Sequence, residues 1–344
     1  MKNDCYTPGD FDAVKKIDAH LHYYTDNPAY LSAAQECNMH LVSINVDFRE
    51  QGWMPLSEQE KLSARHRQGK PGAFSYIGGI PLDITLQPDS IQGTIPNIDR
   101  EIKQGAIGVK LWKNVGMRMT YKDNLVMIDH PIFTPLLDHL TQHQVPLLGH
   151  FGEPRNCWLP LEEMTLHSDR QYYATHPEFH NYQQTHQPGY QQHIDACNQM
   201  LARHPQLRYV GAHLASSEYD INIIAQRLDA HPNMMMDLAE RVCHLQYQAA
   251  TQHRAVYDFM VKYQDRLIYG SDMIFTDTQG KDEQLAEVKR RWHSQWCFFT
   301  QNDKQQTPEI EPSFKGLGLP RGVVDKIYYH NALKAYPSLA QQVK

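Results

Sequence analysis

Eight short apolar segments alternate with helical patterns along this chain, and they constrain its fold more than any other feature. The segments span residues 16–22, 41–46, 74–80, 106–112, 145–150, 207–213, 233–237 and 266–272. Strands separated by helices pair in parallel, and eight of them in 344 residues predict an α/β protein with a (β/α)8 TIM barrel. A doubly wound open sheet is the rival, but no Gly-rich turn for a dinucleotide follows the first strand. No change in composition divides the chain, so we expect a single domain over residues 1–344.

The composition argues against several classes of protein. The formal net charge is −6 and there is no dense run of Lys and Arg, so no nucleic-acid partner is expected. No apolar run approaches the roughly 18 residues needed to cross a bilayer, so no membrane partner is expected either. Residues 1–11 lack the apolar region of a signal peptide, which predicts a cytoplasmic protein. The six cysteines are scattered without CxxC spacing and are expected to be reduced thiols.

Polar side chains stand at the ends of five predicted strands, where a TIM barrel places its active site. In the first strand, alternation puts Asp18, His20 and His22 on one face and the apolar residues on the other. Later strands contribute Lys110, His150, His213 and Asp272. One such histidine alone is best explained as a hydrogen-bonded core residue. Because five strands follow the same pattern, the set as a whole indicates a metal site.

These residues lie in a series of motifs that resembles one known family. The motifs are Ile17-Asp18-Ala19-His20-Leu21-His22, Gly108-Val109-Lys110-Leu111, Gly149-His150-Phe151-Gly152, Gly211-Ala212-His213, Tyr269-Gly270-Ser271-Asp272 and Ile327-Tyr328-Tyr329-His330-Asn331-Ala332. Their order resembles the amidohydrolase superfamily, and most closely its amidohydrolase-2 branch of TIM-barrel metal-dependent hydrolases. That branch includes aminocarboxymuconate-semialdehyde decarboxylase. The resemblance extends from about residue 16 to residue 336.

The resemblance implies the ligands of one divalent metal ion, most often zinc. The matching residues are His20, His22, His150 and Asp272. Imidazoles and a carboxylate are the ligands of an open catalytic zinc site, in which water keeps a position. His213 matches the catalytic general acid or base, and Asp272 can also accept a proton while it contacts the metal.

Lys110 has two interpretations within the family. In two-metal members a lysine at this place is carboxylated and bridges the ions, and His150 and His213 then bind the second metal. In one-metal members, which the branch resemblance favours, Lys110 is a cation that faces an anionic substrate. The chain is therefore expected to bind one zinc ion, with a two-metal site as the alternative.

The strand–helix alternation breaks after the fifth predicted strand. The segment from about residue 151 to residue 188 is rich in His, Tyr, Gln and Pro, and we expect an active-site lid or specificity loop. An oligomer contact is the alternative for this insertion. Trp112, Glu153 and Arg155 are candidates for substrate binding. An aromatic residue such as Trp112 in a barrel more often serves packing, and Glu153 and Arg155 are equally well explained as solvated loop residues.

The same site supports more than one activity. The main hypothesis is a hydrolase in which a metal-activated water attacks an amide, ester or lactone carbonyl of a small polar substrate. The alternatives are non-oxidative decarboxylation of a small carboxylic acid and, less favoured, a non-catalytic barrel that binds a ligand. The expected partner is a small molecule, and the family suggests a homodimer.

Overall fold

The computed structural model describes residues 4–47, 54–184, 186–277 and 280–343, and its main feature is a nine-stranded parallel sheet. Its strands are β1 (Lys16–Tyr24), β2 (Met39–Ile44), β3 (Phe74–Gly79), β4 (Val109–Leu111), β5 (Leu147–Gly149), β6 (Tyr209–Gly211), β7 (Met234–Asp237), β8 (Leu267–Ile268) and β9 (Ile274–Thr276). The longer helices are α1 (Ala29–Glu36), α2 (Leu56–Gly69), α3 (Ser90–Gln104), α4 (Thr134–Gln142), α5 (His167–Thr175), α6 (Tyr190–Arg203), α7 (Ile221–Ala230), α8 (Val242–Lys262) and α9 (Lys281–Thr300). Short helices lie at Asn114–Met117, Arg321–Asp325 and Asn331–Ala335, and short strands at Thr85–Leu86, Thr120–Tyr121, Asn124–Leu125, Lys304–Gln305 and Phe314–Lys315. None of the described helices is both long enough and apolar enough to cross a membrane.

The last part of the sheet closes it into a barrel. Strands β1 to β8 follow one another in chain order, and β8 pairs with β7. The backbone after β8 then crosses to β1, where the N–H of Ala19 donates to the carbonyl oxygen of Tyr269 at 3.0 Å and the N–H of Asp272 donates to that of His20 at 2.7 Å. Strand β9 continues beside β1 in parallel. The predicted (β/α)8 TIM barrel is confirmed.

Two apolar layers position the polar residues. One cluster takes residues from or next to every barrel strand and fills the interior, and the other lies between the strands and the helices. The interior cluster includes Ile17, Val42, Ile77, Ile107, Leu148, Val210, Met235 and Ile268. Inward-facing positions recur every second residue, so the next ones after Leu148 and Met235 are His150 and Asp237, and the second one after Ile268 is Asp272. These residues form a polar layer at the C-terminal end of the barrel.

The first strand departs from the predicted alternation. The pairing of β1 with β2 shifts register between Asp18 and Leu21. The odd-numbered residues of β1 face the barrel interior before this shift, and they pack against the helices after it. Asp18 faces outwards and accepts a hydrogen bond from Nε1 of Trp292 at 2.8 Å, so the prediction that it shares a face with His20 is wrong. Bulges next to active sites re-aim side chains, and this one turns His20 and His22 inwards.

Several predicted boundaries also differ from the structure. Strand β6 ends at Gly211 rather than at His213, and β8 is regular only over Leu267–Ile268. The insertion after β5 contains α5 and several short 3-10 turns. No element is predicted after residue 272, yet α9 packs on the barrel through residues such as Trp292.

Candidate metal centre at the C-terminal end of the barrel

Three predicted ligands converge at the C-terminal end of the barrel. The Nε2 atoms of His20 and His22 each lie 3.3 Å from Oδ1 of Asp272. His213 joins them, with its Nε2 4.0 Å from Oδ2 of Asp272. Ligand atoms of His20, His213 and Asp272 all lie within 4.8 Å of one another.

His150 stands beside this group. Its imidazole ring packs against that of His213, with 4.4 Å between the ring centroids, and it is 7% exposed. Its Nε2 is buried and makes no hydrogen bond with the described residues. The structure therefore brings all four predicted ligands and the predicted acid–base residue to one place.

Hydrogen bonds on the far side of the rings fix how three of these imidazoles are protonated. Nδ1 of His20 lies 2.7 Å from a carboxylate oxygen of Asp237. Nδ1 of His22 lies 2.9 Å from the Ile44 carbonyl oxygen and 2.8 Å from the Tyr24 hydroxyl oxygen, which donates its own hydrogen to that carbonyl and so accepts from the ring. Nδ1 of His213 lies 2.9 Å from the Ala239 carbonyl oxygen. Because these oxygens accept from the rings, each Nδ1 carries a proton and each Nε2 offers a lone pair to the centre.

These residues fit a metal ion. Nε2 of His20, Nε2 of His150 and Oδ1 of Asp272 are buried without a hydrogen-bond partner among the described residues. Two ligands at about 2.05 Å from a tetrahedral zinc ion are separated by about 3.3 Å. The distances from the His20 and His22 nitrogens to Asp272 match that separation.

Burial and neighbouring charges tune the ionisation of the centre. Burial lowers the pKa of His213 to about 3 and that of His150 well below its usual value, which keeps both imidazoles neutral and able to bind a metal. Burial alone raises the pKa of Asp272, but the His213 and His20 imidazoles outweigh it and hold that pKa well below its usual range. Asp272 is therefore a carboxylate.

Two buried cations flank the centre, and the sequence identified only one of them. Lys110 is 2% exposed, and its Nζ has no hydrogen-bond partner among the described residues. Burial lowers the pKa of Lys110 to about 8. Arg241, 8% exposed, follows the Ala239 loop that binds His213, and its Nε also makes no hydrogen bond with the described residues. The charge of Arg241 adds to the burial that lowers the pKa of His213.

The remaining predicted substrate residues lie around the insertion. Trp112 and Glu153 line a cavity of about 60 Å³ together with insertion residues such as Phe179. Glu153 forms an ion pair with Lys113. The Arg155 guanidinium lies over the rings of Tyr219 and Tyr190, at 4.8 Å and 5.7 Å from their centroids. Trp112 and Glu153 therefore face a cavity that lies between the end of β4 and the insertion, whereas the Arg155 guanidinium packs on two aromatic rings.

Strained backbone surrounds the centre. Four consecutive residues, His213 to Ser216, have φ between 51° and 59°, and Asp272 has φ 58°. This left-handed conformation costs about 1–2 kcal/mol per non-glycine residue. Hydrogen bonds hold the turn: Tyr190 donates to the Ser216 carbonyl, and Arg227 donates to that of Ala215. Strain of this kind persists where the surrounding structure imposes it, and it clusters at functional sites.

Comparison with known proteins assigns the chain to a family. The sequence model of the amidohydrolase family matches residues 78–338. The chain therefore belongs to the amidohydrolase family, whose members generally use a divalent metal. No curated protein sequence matches it significantly.

Solved structures support the fold. An uncharacterized TIM-barrel protein from Bordetella bronchiseptica aligns with a TM-score of 0.57 and 12% identity, covering 95% of this chain and 100% of that one. A 2,6-dihydroxybenzoate decarboxylase in complex with 2,6-dihydroxybenzoate aligns with a TM-score of 0.53 and 12% identity, covering 94% of this chain and 99% of that one. At this identity the likeness shows the TIM-barrel fold alone.

Proposed function

We propose that this protein is a metal-dependent hydrolase of the amidohydrolase-2 type, with one zinc ion held by His20, His22, His150 and Asp272. The observation that carries the proposal is that Nε2 of His20, Nε2 of His150 and Oδ1 of Asp272 are buried at the end of the barrel without a hydrogen-bond partner among the described residues. When bound, zinc supplies a Lewis acid that polarises a substrate carbonyl and lowers the pKa of water towards neutrality.

His213 serves as the general acid and base in this proposal. Its Nδ1 proton is held by the Ala239 carbonyl, so its Nε2 is free to accept a proton from the attacking water. The same nitrogen then returns the proton to the leaving group of the amide, ester or lactone. The Asp272 carboxylate, 4.0 Å from that nitrogen, stabilises the imidazolium formed between these two steps.

Lys110 and Arg241 define the class of substrate. Both are buried cations, and each has a nitrogen without a hydrogen-bond partner among the described residues. Burial disfavours the charge of Lys110, whereas the carboxylates of Glu218 and Asp169 already offset the charge of Arg241. An anionic ligand therefore gains most from pairing with Lys110. We therefore assign the substrate to small molecules that carry a carboxylate or a similar anionic group.

Decarboxylation of a small carboxylic acid is the second candidate. The same two cations favour it, as does the fold shared with 2,6-dihydroxybenzoate decarboxylase. In that reaction the bond from the carboxylate to its neighbouring carbon breaks, and the electron pair stays on that carbon. Neutral His213 takes up a proton from water through Nε2 and delivers it to that carbon, so that carbon dioxide and hydroxide are released.

Metal analysis of purified variants tests the proposed centre. We expect about one zinc per wild-type chain, none in His22→Ala, and about one in His213→Ala, because His213 is a base rather than a ligand. If His213→Ala and Lys110→Ala each lower the content from two ions to one, the two-metal alternative replaces this proposal. Absence of stoichiometric metal after zinc is supplied would support the non-catalytic barrel.

A product assay separates the two reactions. The zinc-loaded protein is incubated with esters and lactones that carry a carboxylate and with aromatic carboxylic acids, and released acid and carbon dioxide are both measured. New acid without carbon dioxide supports the hydrolase, and carbon dioxide supports the decarboxylase. Loss of either product in His213→Gln assigns the turnover to this site. In Lys110→Met, KM should rise at least about tenfold for anionic substrates and not for neutral analogues.

A further inference from the structure

One buried carboxylate, Asp237 at the end of β7, contacts both sides of the candidate centre. It is 2% exposed. Its Oδ2 lies 2.7 Å from Nδ1 of His20. Its Oδ1 accepts hydrogen bonds from the backbone N–H of His213 at 2.7 Å and from that of Ala239 at 3.2 Å. A single side chain therefore binds a predicted metal ligand and the backbone of the predicted acid–base residue.

The bond to His20 determines which nitrogen of that ring is available. A carboxylate only accepts, so the ring proton lies on Nδ1 and the Nε2 lone pair faces Asp272. If the proton moved to Nε2, that nitrogen could not bind a cation. Outer partners of this kind fix the tautomer of metal-binding histidines.

The bond to His213 holds the start of the left-handed turn. The N–H of His213 is the first donor of the four-residue strained segment, and Asp237 is its acceptor. Asp237 also binds the N–H of Ala239, whose carbonyl oxygen accepts from Nδ1 of His213. The same carboxylate thus positions His213 through its backbone and, by way of Ala239, through its ring.

We propose that Asp237 is a positioning residue that fixes the tautomer of His20 for metal binding and, at the same time, holds the turn that carries His213. This inference rests on the proposed metal centre. It gives one residue two separable effects, one on metal affinity and one on the backbone of residues 211–217.

Two substitutions in the full-length protein separate these effects. In Asp237→Asn the amide oxygen can still accept from the two backbone N–H groups, but the NH₂ group faces Nδ1 of His20 and can only donate. His20 is then protonated on Nε2 and lost as a ligand. Asp237→Ala removes both effects. Glu101→Gln is the matched control, because Glu101 in α3 is also a buried carboxyl group and its charged neighbours, Glu60 and Arg100, lie outside the proposed centre.

The readouts are the zinc dissociation constant, by competition with a chromophoric chelator, and backbone hydrogen exchange of residues 211–217. In Asp237→Asn the zinc dissociation constant should rise about 10–100-fold with exchange unchanged. In Asp237→Ala exchange should also accelerate, because the His213 N–H loses its acceptor. Glu101→Gln should leave both zinc affinity and the exchange of residues 211–217 unchanged.

Wild-type zinc affinity in Asp237→Asn, with zinc lost in His20→Ala, would overturn this inference and leave the metal centre standing. An equal loss of affinity in Glu101→Gln would also overturn it, because the effect would then be general. Retention of zinc by His20→Ala would instead refute the centre itself. If Asp237→Asn does not fold, ¹⁵N NMR of the zinc-free wild-type protein tests the proposal by showing which nitrogen of the His20 ring carries the proton. The His20 signals are identified by their loss in His20→Ala. A neutral His20 ring with its proton on Nε2 and none on Nδ1 would overturn the proposal.

Discussion

Gly270, between β8 and Asp272, leaves the space that His20 occupies. A Cβ atom added at Gly270 would lie 2.8 Å from the His20 Cβ, 3.2 Å from its backbone nitrogen and 3.3 Å from the Ala239 Cβ. Since carbon atoms normally pack about 3.5–4.0 Å apart, Gly270→Ala must displace His20 by about 1 Å. The contact is with backbone and Cβ atoms, so a change of rotamer cannot relieve it.

The expected effects follow from that displacement. Overpacking costs about 1–3 kcal/mol, and the lower entropy of the unfolded alanine chain offsets about 0.4–1 kcal/mol of it. We therefore expect Gly270→Ala to lower the free energy of unfolding by about 1–2 kcal/mol. Metal sites tolerate ligand shifts of only about 0.2 Å, so zinc affinity should fall at least about tenfold.

Urea unfolding of the zinc-free protein and chelator competition measure the two effects separately. Gly93→Ala is the matched control, because a Cβ there meets nothing within 4 Å and the residue lies in α3. That substitution should stabilise the protein by about 0.5–1 kcal/mol and leave zinc affinity unchanged. If Gly270→Ala matched Gly93→Ala in both measurements, the packing of His20 against Gly270 described above would be wrong.

Three further predictions concern stability. Burial, with Glu60 nearby, raises the pKa of Glu101 from 4.5 to about 7, so the folded state binds an extra proton and the free energy of unfolding should fall as pH rises from 4.5 to 7. Glu101→Gln should flatten this pH dependence in urea unfolding at a series of pH values, and an unchanged slope would contradict the assignment. Trp292→Phe should cost at least about 1–3 kcal/mol in the same assay, because Asp18 Oδ2 loses its buried donor; a smaller loss would show that this bond contributes little. When free zinc is present at about a hundred times its dissociation constant, removing it should lower the free energy of unfolding by about 2.7 kcal/mol. A melting temperature that zinc does not change would contradict a zinc site in the folded state.

The barrel could be predicted from the sequence because the apolar layer inside it leaves a clear pattern. Leu148 and Ile268 lie in the interior cluster, and simple alternation from them locates His150 and Asp272. The same rule applied to Met235 points to Asp237, which closes β7 but was not included in the predicted site. Arg241 lies beyond its strand, in a loop, where alternation gives no information.

Two features of the site could not be predicted because tertiary contacts impose them. The register shift in β1 depends on its pairing with β2, and no residue within residues 16–22 marks it. The turn from His213 to Ser216 contains no glycine, so its left-handed backbone contradicts local preference. Contacts such as Asp237 to the His213 N–H and Tyr190 to the Ser216 carbonyl hold this turn. By contrast, Val288, Trp292 and Trp296 of α9 recur every four residues, and that spacing does indicate a helix.

The segment that closes the barrel also determines when the ligand set is complete during folding. His20 and His22 come from the first strand, whereas Asp272 lies in the segment after β8 that pairs with β1 and closes the barrel. The bond from Ser271 to Asp18 spans 253 residues of chain, and that from His20 to Asp237 spans 217. Loop closure over such distances delays these contacts. In the proposed centre, high-affinity zinc uptake therefore reports the meeting of the two ends of the sheet, and a nascent chain that ends before Asp272 cannot form that centre.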